Sequence, residues 1–261
     1  MSDNHDLIED EGAGYLISVS DMMSGLLFIF IITLVAFILN FQDAIQKQKE
    51  VTETQKTIVR KLTNTEQVRS ELLLNLKEEL AKHDIIVEVD TEHGVLRLTE
   101  QAVLFETAKD TLDEISTRNL NIIGQVMSSI LPCYASLPPE DGFCSDTTQY
   151  RGVLDSVFVE GHTDNVPIKS WKYADNWVLS AQRAISAYRQ LVPGTQLELL
   201  ENSSAQPIFS VSGYGEGRPV EGHRYDIPTA DPVNRRIDIR FIMTPPSLTA
   251  AQQALIKQGV N

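Results

Sequence analysis

One stretch of the chain constrains it more than any other. Between Met22 and Gln42 no residue is charged, and the core of that run, from Leu26 to Leu39, is almost entirely Leu, Ile, Phe, Val and Ala. About 20 helical residues at about 1.5 Å rise each cross a hydrocarbon core of roughly 30 Å. A cleaved signal peptide is the competing reading. It fits poorly, because the preceding residues carry Asp3, Asp6, Glu9, Asp10 and Glu11 and no Lys or Arg, and no small-x-small cleavage site follows. The pattern predicts an uncleaved transmembrane helix over residues 15–41.

Around that helix the chain reads as a series of regions. Residues 1–14 form an acidic, polar tail. Residues 42–82 lack Gly and Pro and place Ile58, Leu62, Leu72, Leu76 and Leu80 mostly at three- or four-residue multiples, which predicts a helical connector. Such a helix either pairs with a copy of itself or stands in solvent. From residue 83 to 245 the pattern becomes α/β. Strands are expected at Ile85–Val89, Val95–Leu98, Val153–Glu160, Phe209–Gly213 and Arg236–Ile242. Helices are expected around Leu112–Ile130 and Asp175–Leu191, the second stopped by Pro193-Gly194. Helices packed on one face of a mixed sheet bury this β-β-α-β-α-β-β order economically. Residues 246–261 remain as a C-terminal tail. The net charge of −14 argues against direct nucleic-acid binding, which needs clustered Lys and Arg.

Orientation draws on opposing signals. The first basic residue is Lys47, after the apolar run, so the positive-inside rule places the C-terminal side in the cytoplasm. Against this stand Cys133 and Cys144, the only cysteines, in a stretch from Pro132 to Arg151 rich in Pro, Ser and Gly. A pair so placed reads as a disulfide in an oxidising compartment. Two unrelated thiols are the other reading.

Asp21 is the only charged residue between Tyr15 and Gln42. If the helix begins before it, at Tyr15-Leu16-Ile17, the carboxylate lies inside the membrane segment near one face. Ionisable groups at such positions are costly and commonly serve as proton or ion relays. Alternatively, Ser20 and Asp21 cap a helix that starts at Met22.

A second constellation lies in the α/β region. Gly161-His162-Thr163-Asp164 follows a strand, and Asn176-Trp177-Val178-Leu179-Ser180-Ala181-Gln182-Arg183-Ala184 opens a helix. Asn176, Ser180, Arg183 and Ala187 fall on one helical face, with an apolar stripe of Trp177, Ala181, Ala184, Ile185 and Tyr188 beside it. The expectation is that the stripe packs and the other face presents polar groups. Arg183 offers a planar fork suited to a carboxylate, and Asp164 an acceptor for an ammonium or amide. Together they suit a zwitterion, or else they form a structural salt bridge. His162 has no partner at metal-ligand spacing, so it reads as a satisfied structural histidine. No nucleophile–His–acid motif or phosphate-binding Gly loop is apparent, and the chain reads as a non-enzyme.

These residues resemble the OmpA/MotB peptidoglycan-binding family. The likeness rests on Gly161-His162-Thr163-Asp164, the Asn-Trp-x-Leu-Ser-x-x-Arg-Ala stretch from Asn176, Val211-Ser212-Gly213-Tyr214-Gly215 and Asn234-Arg235-Arg236-Ile237. It covers roughly residues 85–243. The resemblance implies an OmpA-like domain in which Asp164 and Arg183 bind the two ends of diaminopimelate in the peptidoglycan stem peptide. By the same likeness Asn176 and Leu179 line the groove and Arg235 supports it. The ligand lies in the periplasm, which places the N-terminus in the cytoplasm of a bacterial inner-membrane protein, against the charge rule.

The apolar run with Asp21 also looks like that of a stator B subunit, in which the matching Asp carries the ion. This implies a homodimer inside a closed ring of about five multi-span, MotA-like A subunits, a transported proton, and no other cofactor. Flagellar members usually have a basic N-terminus and a Tyr-Ala-Asp-Phe-Met-like run. This chain has an acidic N-terminus, Ser18-Val19-Ser20-Asp21-Met22-Met23-Ser24-Gly25, and a Cys-bearing insertion. That variant looks like the B subunit of the Zorya anti-phage defence motor. A flagellar stator subunit and a passive envelope tether are the alternatives.

Overall fold

The computed structural model describes residues 6–136, 144 and 150–245, with side chains described from residue 19 onward except at 61–63. The tail expected over 246–261 and most of the Cys-bearing insertion lie outside the described residues. The chain divides into two compact units, one containing Met1–Val59 and the other Arg60–Pro246.

In the first unit the described residues are helical and belong to α1, Asp6–Ala81. From Met22 to Phe41 its large apolar side chains are exposed, and the helix is long and apolar enough to cross a membrane. Because α1 begins at Asp6, Asp21 lies well inside the helix and not at its N-terminus, where the capping alternative required it. Next to it, the Ser24 hydroxyl donates to the Ser20 carbonyl at 2.8 Å, so this polar group is satisfied within the helix.

The second unit is an α/β domain on a five-stranded mixed sheet. Its elements are β1 (Val87–Asp90), β2 (Val95–Leu98), α2 (Glu114–Ile130), β3 (Leu154–Gly161), α3 (Asn176–Leu191), β4 (Phe209–Gly213) and β5 (Ile237–Met243). The strand order is β1-β2-β5-β3-β4, with β3 and β4 parallel and every other pair antiparallel. The parallel pair follows from chain economy: a crossover helix, α3, separates β3 from β4. α2 and α3 each start at an aspartate cap, Asp113 accepting from Ser116 N and Asp175 accepting from Val178 N.

Alternation along the strands sends Leu96, Leu98, Val157, Val159, Ile237, Ile239 and Phe241 into one core, together with Leu120, Ile123 and Met127 of α2. The C-terminal turns of α1 join it. Val68, Leu72, Leu73, Leu76 and Leu80 are buried in the same cluster, so the compact unit extends N-terminally past the expected boundary at residue 83, back to Arg60. These leucines neither stand in solvent nor need a second copy, because the domain's own core takes them. Arg69 fastens the helix further, its Nη2 donating to the Glu92 carbonyl at 2.9 Å in the β1–β2 turn.

Cys133 and Cys144 form a disulfide, with Cα atoms 5.6 Å apart. Both are buried against the core cluster.

Candidate functional site

The site sits where β3 and β4 end. Gly161, the last residue of β3, touches α3 so closely that a Cβ there would lie 2.0 Å from the Ser180 carbonyl oxygen. A Cβ on Gly213, the last residue of β4, would lie 2.6 Å from Ala181 N. Two missing side chains thus let the helix backbone descend onto the strand ends. Ser180 fills the seam, accepting from Gly215 N at 2.9 Å and donating to the Trp177 carbonyl.

This approach widens the packed face of α3 beyond the expected stripe. Asn176, Ser180, Arg183 and Ala187 are buried together with Leu179, and of the stripe Ala184 lies in the core and Tyr188 packs against it, whereas Trp177 is 53% exposed. Asn176 and Ser180 are short polar groups with partners, which a close backbone contact accommodates.

All five expected groove residues, Asp164, Asn176, Leu179, Arg183 and Arg235, line one cleft of about 90 Å³. Asn176 Nδ2 donates to the Val166 carbonyl at 3.1 Å and holds the loop after β3 against α3. Asp164 does not pair with Arg183. Its Oδ2 accepts from Arg235 Nη1 at 2.9 Å and from Asp231 N at 3.3 Å. Arg183, only 1% exposed, donates from Nε to the Lys109 carbonyl at 2.8 Å and from Nη2 to the Glu106 carbonyl at 2.9 Å, and its guanidinium lies over the Phe105 ring. The alternative of an Asp164–Arg183 salt bridge is therefore replaced by an Asp164–Arg235 pair beside a carbonyl-held Arg183.

Two buried nitrogens of this cleft have no hydrogen-bond partner, Arg183 Nη1 and Arg235 Nε. Burial, and after it the neighbouring Arg235, pushes the Arg183 guanidinium down to about 10, so it is still charged at neutral pH. The cleft thus offers two guanidinium groups against one carboxylate, with unused donors on the cations. A carboxylate entering it restores charge balance and hydrogen bonding together. Asp164 remains as the acceptor for an ammonium group.

The opposite wall was not foreseen. Thr107 and Ala108 close the cleft from the segment between β2 and α2, with Ala108 at φ +57. Its contribution to Arg183 is made by backbone carbonyls, which any residue type supplies, so no sequence signature marked it. Lys172 ties the two walls, its ammonium bonding Asp110 at 2.6 Å. Burial pushes the Asp110 carboxyl up, but the hydrogen bonds from Lys172 and Tyr173 outweigh it and hold it below the usual range.

His162 lies beneath this region, 1% exposed and stacked on Tyr214 at 5.4 Å. It is not the satisfied histidine expected: neither ring nitrogen has a hydrogen-bond partner, and Nε2 is 3.4 Å from the Asp238 carboxylate. Burial, followed by the Arg236 charge, pushes it down to about 3. Around it run bidentate pairs, Arg240 with Glu160 at 2.8 and 2.9 Å and Arg236 with Asp238 at 3.1 Å. Among the described residues no group of His, Cys, Asp and Glu could hold a metal ion.

Fold and site together define an α/β domain with a charged cleft at its strand ends, on a chain that also carries one helix apolar enough to cross a membrane. Among curated proteins the chain is similar to Motility protein B of Bacillus subtilis, 25% identical over 179 residues, a match that covers 68% of this chain but only 56% of that protein. It is also similar to the uncharacterized protein YtxE of Bacillus subtilis, 23% identical over 244 residues and 87% of each chain. Among solved structures, the periplasmic domain of Helicobacter pylori MotB (residues 78-256) aligns at a TM-score of 0.44 with 17% identity, covering 67% of this chain and 91% of that one. No family model matches the chain.

Proposed function

We propose that this protein is the peptidoglycan-anchored B subunit of an ion-driven rotary membrane motor. The observation that carries the wall-binding half is the pair of unpartnered guanidinium nitrogens, Arg183 Nη1 and Arg235 Nε, beside Asp164 in one cleft. A zwitterionic amino acid such as diaminopimelate presents a carboxylate to the arginines and an ammonium to Asp164. Asn176 and Leu179 shape the wall between them. The disulfide supports a periplasmic position for the domain, with the N-terminus in the cytoplasm and the apolar helix in the inner membrane.

The motor half rests on Asp21, one acid in an otherwise uncharged apolar stretch of helix. In this reading Asp21 takes a proton from the periplasmic side and releases it toward the cytoplasm. A homodimer stands inside a ring of MotA-like A subunits, and ion passage turns the ring about the wall-anchored dimer. The similarity to Motility protein B supports this class and favours a flagellar stator as the second reading. The acidic N-terminus, the Ser-rich run around Asp21 and the Cys-bearing insertion support the Zorya anti-phage motor as the first.

Sedimentation of the full-length protein with purified sacculi tests the cleft. Asp164→Asn and Arg183→Lys each lower binding by at least about tenfold, the usual scale for losing one member of a desolvated charge pair. Folding of each variant is checked by its melting temperature. Wild-type binding by both folded variants would remove the cleft as the wall site.

A further inference from the structure

Trp171 is 97% exposed, the most exposed large apolar side chain among the described residues. Tryptophan is highly buried on average, so a fully presented indole calls for a reason. Its position supplies one. Val166, Pro167 and Ile168 line the cleft, and Trp171 follows Ile168 by three residues, within about 11 Å along the chain. On its other side Lys172 reaches Asp110 at 2.6 Å, in the segment that forms the facing wall. Tyr173 is buried, its backbone N–H bonded to Ser170 Oγ at 3.0 Å, while Ser170 N donates to the Tyr173 carbonyl at 2.9 Å. The backbone flanking Trp171 is therefore held by a closed turn and a salt bridge, three residues along the chain from the cleft-lining Ile168. Little loop freedom is left to lose on binding there.

We infer that Trp171 is a stacking platform for a hexopyranose ring of the glycan strand, engaged when the adjoining stem peptide occupies the cleft. The flat apolar face of an indole fits the C–H face of a pyranose, and its N–H stays free for a sugar hydroxyl. In a stem peptide diaminopimelate follows the sugar by two residues, so one seated between Arg183 and Asp164 leaves the ring within roughly 15 Å of the cleft, a span comparable to that from Ile168 to Trp171. This inference rests on the cleft being the stem-peptide site.

The test compares two soluble ligands on the full-length protein in detergent: a disaccharide–stem-peptide muropeptide and the same stem peptide without sugar. Wild type binds the sugar-bearing ligand about tenfold more tightly, the scale of a tryptophan contact. Trp171→Ala erases that preference, leaves affinity for the free peptide unchanged and keeps the wild-type melting temperature, while Trp171→Phe retains part of the preference. No preference in wild type, or an unaltered preference in Trp171→Ala, overturns the platform and leaves the cleft assignment standing. Failure of wild type to bind either ligand overturns both. Loss of binding to phospholipid vesicles by Trp171→Ala, with muropeptide affinity intact, would assign the indole to a lipid surface and also overturn the inference.

Discussion

At the scale of single residues, burial without partners sets the behaviour of the site. His162 is neutral in the fold and becomes protonated only near pH 3, whereas an ordinary histidine titrates near 6.5. Between those values the unfolded chain binds more protons than the folded one, so stability falls as pH falls through that window, by up to roughly 1.4 kcal/mol per pH unit. Above about 6.5 this stabilisation is fully present. Thermal melts at pH 7 and 5 check this: wild type loses stability on acidification, and His162→Gln shows a shallower loss. An equal slope in the variant would assign the pH dependence elsewhere. Gly161→Ala places a Cβ 2.0 Å from the Ser180 carbonyl oxygen, backbone that cannot swing aside. It is expected to cost about 3 kcal/mol or more and to weaken wall binding by displacing α3. A melting curve and sacculus sedimentation on that variant read the two effects.

At the scale of elements, α1 is the piece whose role the sequence only half disclosed. The leucines at 72, 76 and 80 marked one face of a helical connector, expected to meet a second copy or solvent, and they are buried instead in the domain's own core. What they bury against is a long-range fact, set by the open edge of the α/β core and invisible to periodicity. Leu76→Ala is expected to destabilise the domain by about 2–5 kcal/mol. A fragment starting at Arg60 should melt cooperatively, while one starting at residue 83 leaves that core uncovered and should not; equal melting of the two would contradict the packing. The strands were more legible. Alternation placed β2 and β5 within a residue or two of their observed ends, and Asp113 and Asp175 cap α2 and α3 as such residues do. The packed face of α3 was legible only in part: Ala184 and Tyr188 pack as expected, but the burial of Asn176, Ser180 and Arg183 follows from Gly161 and Gly213, which bring the strand ends against them. The cleft residues Asp164 and Arg183 were found, but their mutual geometry was not. Arg183 is held by carbonyls of Glu106 and Lys109, and Arg235 takes the pairing with Asp164 that was open to Arg183.

At the scale of the whole molecule, the proposal joins a wall-binding cleft to a membrane helix with one acid. Without the acid, cleft and helix together would make only a passive tether. A motor needs the acid to move an ion while the domain holds still, so the two parts are useful together in a way neither is apart. The central claim is therefore about Asp21. The most direct measurement replaces Asp21 with Asn at matched expression in the native host and scores swimming radius and phage plaquing efficiency side by side. The account predicts that one of them changes: plaquing rises with swimming intact if the motor serves defence, or swimming is lost with plaquing intact if it serves a flagellum. If neither changes, Asp21 carries no ion and the protein is a passive wall tether, which would contradict the account.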